Sequence, residues 1–314
     1  MIESEVKRLE IKEIKDFTID ENSIVSVKRM NHIFEITYLQ HKNTKNFIQL
    51  LDKDNYIYLP TGEVKSCNHI ENRSQSIAQI SQSLKRLRDY INFNVSDVSH
   101  CKWLTLTYRR VGEDKKPMKD TTKLQKDFEK FIKKFRKSYG HFEYIVACEP
   151  QGDGTWHCHC LIIFNKIAPY IPNKIIEELW SQGFTKTQKL DNIDNIGAYL
   201  SAYLGDMSIE ECKKNNIKYK KNDIKEITEI GDIKLKKPKK FIKGGRLYMY
   251  PPKFNLYRIS QGIKPPTKEE FILKEIKEKE GLKNPTYSKS IQLTSDDKKF
   301  KNLISYEYYN TKRN

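Results

Sequence analysis

Glu149-Pro-Gln-Gly-Asp-Gly-Thr-Trp-His157-Cys-His159-Cys-Leu161 joins two strand-like runs through a loop with two glycines. Trp156–Phe164 reads as a β-strand, and side chains on a strand alternate between its two faces. His157 and His159 therefore share a face, ~6–7 Å apart along the backbone. Cys158 and Cys160 take the opposite face with Trp156, Ile162 and Phe164. Phe142–Glu149 is a second strand. The loop Pro150–Thr155 between them, with two glycines, makes the pair a hairpin.

The pleat limits the chemistry. Four ligands drawn from both histidines and both cysteines cannot meet at one zinc ion, and Cys-X-Cys lacks the spacing of a zinc knuckle. The cysteines read as small buried hydrophobes. Two imidazoles on one face can grip a divalent metal, or simply hydrogen-bond each other. Glu149 ends the neighbouring strand, where its carboxylate either reaches the histidine face or points to solvent. Two histidines and one carboxylate leave coordination positions open. Such a mixed nitrogen and oxygen set suits Mn²⁺ or Mg²⁺ better than a closed structural zinc site.

Outward from the hairpin the periodicity keeps changing. Trp103–Tyr108 is a strand, and Thr105 and Thr107 share one of its faces, to pack or to hydrogen-bond DNA. Thr122 and Gln125 have the spacing of a capping box. They precede an amphipathic helix with the apolar stripe Leu124, Phe128, Phe131, Ile132 and Phe135. Pro172–Gln182 reads as a helix closed by Gly183, Phe184–Leu190 as a strand, and Ile193–Asp206 as a helix. On that last helix Tyr199 and Tyr203 stand at i and i+4, so they share a face. A tyrosine pair at this spacing serves either as core or as nucleophiles toward a polarised phosphate. Upstream, Ser23–Tyr58 is strand-like, Ser74–Asn92 is helical, and residues 1–20 are a short polar helix or an arm. Beyond Pro265-Pro266 the chain is charged and weakly patterned.

The chain has 314 residues, of which 37% are hydrophobic and 11% aromatic, enough for a packed core. It lacks a run of ~18 apolar residues and a signal-peptide core, so no membrane association and a cytoplasmic location are expected. Its six cysteines are expected to be reduced thiols. The net charge is +17, which fits a nucleic-acid partner or a lysine-rich solubilising surface. Between Cys212 and Arg246, thirteen basic residues against four acidic ones give +9. Lys213, Lys214, Lys236, Lys237, Lys239 and Lys240 are the candidate DNA contacts in this stretch.

Leu104-Thr-Leu-Thr107, then His157-Cys-His159, then Tyr199-Leu-Ser-Ala-Tyr203 resemble, in this order, the three motifs of rolling-circle replication initiators. These are the Rep class of the HUH endonuclease superfamily. Asp194–Asp206 and Gly244–Ser260 are similar to replication-associated proteins of Gram-positive plasmids, integrative elements and phages, a group related to the filamentous-phage gene II protein. The resemblance implies an α+β fold with an antiparallel central sheet, flanking helices and the histidines on a middle strand. It implies His157, His159 and Glu149 as ligands of Mg²⁺ or Mn²⁺, and Tyr199 and Tyr203 as nucleophiles. The activity implied is a nick in single-stranded or hairpin origin DNA, leaving a 5′-phosphotyrosine and a 3′-OH primer. Many initiators carry a lysine three residues after the catalytic tyrosine. Here those positions are Ala202 and Asp206, so that lysine role is unassigned, with Lys213 or Lys214 nearby to serve.

The domain expectation is an N-terminal strand and helix region at 1–97, an endonuclease domain at 98–262 with a basic insertion at 212–246, and a peripheral charged tail at 263–314. No Walker-type phosphate loop occurs, so a host helicase and polymerase are implied. A relaxase would place its tyrosine before the histidines, and single-strand transposases are usually shorter. A non-catalytic DNA-binding regulator would need only one of these site residues to be lost.

Overall fold

The computed structural model describes residues 9–42, 46–109, 116–188, 190, 195–201, 204–220, 223–230, 233–295 and 298–313. In chain order the strands and helices are β1 (Leu9–Ile14), β2 (Ile24–Met30), β3 (Ile33–Leu39), β4 (Ile48–Leu50), β5 (Asn55–Tyr58), β6 (Glu63–Ser66), α1 (Ile77–Asn94), β7 (Cys101–Thr107), α2 (Thr121–Tyr139), β8 (Glu143–Pro150) and β9 (Trp156–Ile163). They continue with α3 (Asn173–Trp180), β10 (Thr185–Gln188), α4 (Ile196–Ser201), β11 (Met207–Ser208), α5 (Ile209–Lys214), β12 (Ile224–Ile230), β13 (Ile233–Ile242), β14 (Tyr257–Ile259), β15 (Lys268–Ile272), α6 (Leu273–Glu280), β16 (Tyr287–Ser295) and β17 (Lys301–Asn310). The protein is α+β with antiparallel sheets, as the sequence implied. No helix among the described residues is long and apolar enough to cross a membrane.

The chain divides into two compact units, residues 70–265 and residues 1–69 together with 266–314. This differs from the boundaries expected at 97/98 and 262/263. The C-terminal segment is not a peripheral tail. Its strands β16 and β17 lie inside a six-stranded sheet of order β1-β16-β17-β3-β2-β15. Residues 9–14, expected as helix or arm, form the edge strand β1 on β16. Strand pairing joins segments far apart in sequence, and local composition does not report it. Tyr309 of β17 packs with Val25, Val27, Phe34 and Ile36 of β2 and β3 against Leu273 and Ile276 of α6, so this segment contributes both a strand and a helix to one core.

In the unit 70–265 the central sheet has five strands in the order β10-β7-β9-β8-β14, all antiparallel. One face carries Leu104, Leu106, Val146, Cys148, Cys158, Cys160 and Ile162 against α2 and α3. All six cysteines are free. The expected stripe of α2 is buried on this face. Its N-cap is Asp120, whose carboxylate accepts from Thr122 N and Lys123 N at 2.8 and 3.1 Å, in place of the expected Thr122–Gln125 box. α3 ends at Ser181 in the left-handed conformation. Gly183, expected as its cap, lies instead against β7, where an added Cβ would sit 2.3 Å from Arg109 N.

The other face carries Trp103, Ala147 and Leu161 against Leu87 and Ile91 of α1 and Ile196 and Leu200 of α4. Helix α1, expected in a separate N-terminal region, is thus part of this core. Gly197 allows α4 to approach α1 closely, because a Cβ there would come within 2.6 Å of Arg88 O. Asn92 Oδ1 accepts the Gly197 N–H at 2.8 Å. These two contacts seat the tyrosine helix.

Candidate metal centre and tyrosine helix

The register of three neighbouring strands builds the site. His157 pairs with Glu149 of β8 and Thr107 of β7, and His159 pairs with Ala147 and Thr105. Directly paired residues point to the same face, so both histidines, Glu149 and both threonines share the α1/α4 side. The cysteines lie on the other side, as the pleat required.

The donor atoms converge. His157 Nε2 and His159 Nε2 are 2.8 Å apart. Glu149 Oε2 is 3.5 Å from the first and 3.6 Å from the second. All three ligand atoms lie within 4.8 Å of one another. His159 Nε2 is further fixed by stacking of its ring on Trp103, with centroids 5.6 Å apart. This donor set fits a divalent cation with positions left open for other ligands.

Protonation favours the same use. Burial pushes the Glu149 carboxyl up, but Arg246 and the two imidazoles outweigh it and hold it well below the usual carboxylate range. Burial lowers His157 from its ordinary value, against the pull of Glu149. An ionised carboxylate beside a neutral imidazole is the state in which such groups bind a metal.

Tyr199, on α4, borders an open pocket of about 160 Å³ with Glu149, His159, Trp103, Gln188, Leu200 and Leu204. The tyrosine helix and the histidine strand therefore meet at one place on the sheet. Tyr203 and Ala202 lie outside the described residues. Asp206 Oδ1 accepts the Gly244 N–H at 2.7 Å, and burial raises its carboxyl.

Sequence reasoning gave Arg246 no role of its own, counting it among thirteen basic residues and within the Gly244–Ser260 segment. Its side chain is 14% exposed, with Nη1 2.7 Å from Glu149 Oε1 and Nη2 paired with Glu211. It also missed the Trp103 stack. A lone half-buried arginine at the end of a lysine run has no local signal. Only its turn position, after Gly244-Gly245, hinted at a different role.

The candidate DNA contacts fall on the hairpin β12–β13 and on α5. The basic stretch is ordered as the hairpin β12–β13, paired with β11. Lys237, Lys239 and Lys240 are exposed on β13, and Lys240 faces Glu226 at 3.7 Å. Lys213 and Lys214 are exposed in the last turn of α5. The side chain of Lys236 lies outside the described residues. Next to the histidine face, Thr107 N donates to Phe184 O at 2.8 Å, extending the register to β10. That extension aligns Phe184, Lys186 and Gln188 with Thr107, Thr105 and Trp103. Phe184 is 62% exposed.

No curated protein and no solved structure matches the chain. Residues 101–208, from the start of β7 to the end of β11, match a family model, and that family is the replication-associated proteins of the ORF2 and phage gene II type.

Proposed function

We propose that this protein is a metal-dependent, site-specific nicking and strand-transfer enzyme that starts rolling-circle replication. The observation that carries the reading is the meeting of Tyr199 with Glu149 and His159 at one pocket on the sheet. The family match supports a role in DNA replication.

Glu149, His157 and His159 would hold Mg²⁺ or Mn²⁺. The bound ion supplies charge stabilisation to the oxygens of the scissile phosphate. Tyr199 Oη is the nucleophile, with Tyr203 as the second candidate. It attacks phosphorus, the bond to the preceding nucleotide's 3′-oxygen breaks, and that oxygen leaves as a 3′-OH. The phenolic proton is given up and the leaving oxygen gains one, so the step balances without any redox change. The 5′ end stays on the tyrosine as a phosphodiester, and reversal of the step rejoins strands. The strip Thr105, Thr107, Phe184 and Lys186 continues the same sheet face and suits single-stranded DNA. It offers hydroxyls, an exposed ring for base stacking and a cation for phosphate. A host helicase and polymerase complete the process.

The test is incubation with single-stranded origin DNA from the sequence flanking the gene, followed by a denaturing gel. A covalent protein–DNA adduct is expected with Mn²⁺ or Mg²⁺ and none with EDTA. His157→Ala and His159→Ala should abolish the adduct while keeping most of the DNA affinity, which is mainly phosphate contact. Full adduct formation in EDTA overturns the metal-dependent reading.

A further inference from the structure

Arg246 joins three segments that the sequence keeps far apart. Its Nη1 lies 2.7 Å from Glu149 Oε1. Its Nη2 pairs with Glu211 of α5. Glu211 Oε1 in turn accepts the N–H of Gly152, in the turn of the histidine hairpin, at 2.6 Å. The Arg246 N–H donates to Gly205 O at 2.9 Å, just past the tyrosine helix. Gly205 N donates back to Glu149 Oε1 at 2.8 Å. One oxygen of Glu149 therefore takes two donors, and the other, Oε2, faces both imidazoles at 3.5 and 3.6 Å.

We propose that Arg246 is a positioning residue for Glu149: it binds Oε1 so that Oε2 alone is offered to the ion held by the two histidines. This rests on the metal reading given above. A carboxylate at the end of a strand can rotate and present either oxygen, or both. A charge-assisted bond from a guanidinium held at both ends removes that freedom. Only arginine has a planar fork able to bond two carboxylates at once, and lysine is a point charge that serves one. The second arm, on Glu211, anchors the fork to the hairpin turn. In metal sites, partners that orient a ligand typically change metal affinity about 10–100-fold when removed.

Simple electrostatics predicts the opposite sign. A cation beside a divalent-metal site repels the ion, so deleting its charge should tighten binding. The two effects are separated by Mn²⁺ titration of the full-length protein without DNA, following the free-ion signal by electron paramagnetic resonance. Arg246→Gln removes the charge and the fork, and Arg246→Lys keeps the charge and loses the fork. Both should bind Mn²⁺ about tenfold more weakly than the wild type. Glu211→Gln keeps an acceptor for Gly152, loosens the anchor and should weaken binding several-fold. In nicking assays, added Mn²⁺ should restore Arg246→Lys to near the wild-type maximum rate. Unchanged or tighter Mn²⁺ binding by the Arg246 variants overturns the proposal. If those variants do not fold, unchanged binding by Glu211→Gln overturns it instead. The metal reading is checked separately by the wild type and His157→Ala. If the wild type binds no Mn²⁺, or His157→Ala binds it equally well, that reading fails whatever Arg246 does.

Discussion

Trp103 lies flat against His159, with ring planes 5° apart and centroids separated by 5.6 Å. Trp103 sits on β7 and is 8% exposed, so it is a fixed wall. The stack sets the plane of the imidazole and hence the direction of its Nε2 lone pair. Trp103→Leu keeps apolar bulk but loses the flat surface. A buried aromatic pair contributes about 0.5–1.5 kcal/mol beyond area. A fall in Mn²⁺ affinity of roughly two- to tenfold is expected, with Trp103→Phe closer to the wild type. Equal affinities for all three proteins would mean that the stack only packs.

The tyrosines decide how replication ends. Initiation needs one strand transfer and termination another. If Tyr199 and Tyr203 both act, each single Phe variant should form some covalent adduct, and only the double variant should form none. Loss of the whole adduct in one single variant, with the other near wild type, identifies one nucleophile. Removing only the hydroxyl keeps the ring and its packing, so the comparison reads chemistry rather than folding. An adduct in the double variant would exclude this helix as the nucleophile's source.

The hairpin β12–β13 should provide phosphate contacts. Replacing Lys237, Lys239 and Lys240 by Gln should flatten the slope of log affinity against log salt for single-stranded DNA. Each lost contact is worth about 0.7 of a slope unit. The Lys213 and Lys214 pair can be tested in the same way. An unchanged slope would leave these lysines as solvated surface.

Gly197 should be intolerant of a side chain. A Cβ would meet Arg88 O at 2.6 Å and Asn92 Oδ1 at 2.7 Å, and the first of these is backbone. Overpacking of this kind costs about 1–3 kcal/mol. Gly197→Ala should therefore lower the melting temperature by several degrees and lower adduct formation by shifting Tyr199. Mn²⁺ binding by Glu149, His157 and His159 should persist in the variant. Wild-type thermal stability would show that α4 can move away from α1 without loss.

Much of the site was legible in the local pattern. Strand alternation put His157 and His159 on one face and the cysteines on the other, because the pleat has a period of two. A tight loop between two strand-like runs gave the hairpin and set Glu149 at the end of the neighbouring strand, while the pairing of Glu149 with His157 came from the register of the folded sheet. Helical periodicity found α1 and the buried stripe of α2. Tertiary structure alone decided what sequence distance hides. It placed Arg246 on Glu149 across 97 positions of chain, stacked Trp103 on His159 and seated the tyrosine helix on α1 through Gly197 and Asn92. It also drew the charged C-terminal segment into a sheet with β1–β3. A guanidinium, an indole face and a strand edge each find their partners through space, and their neighbours in the chain carry no mark of that choice.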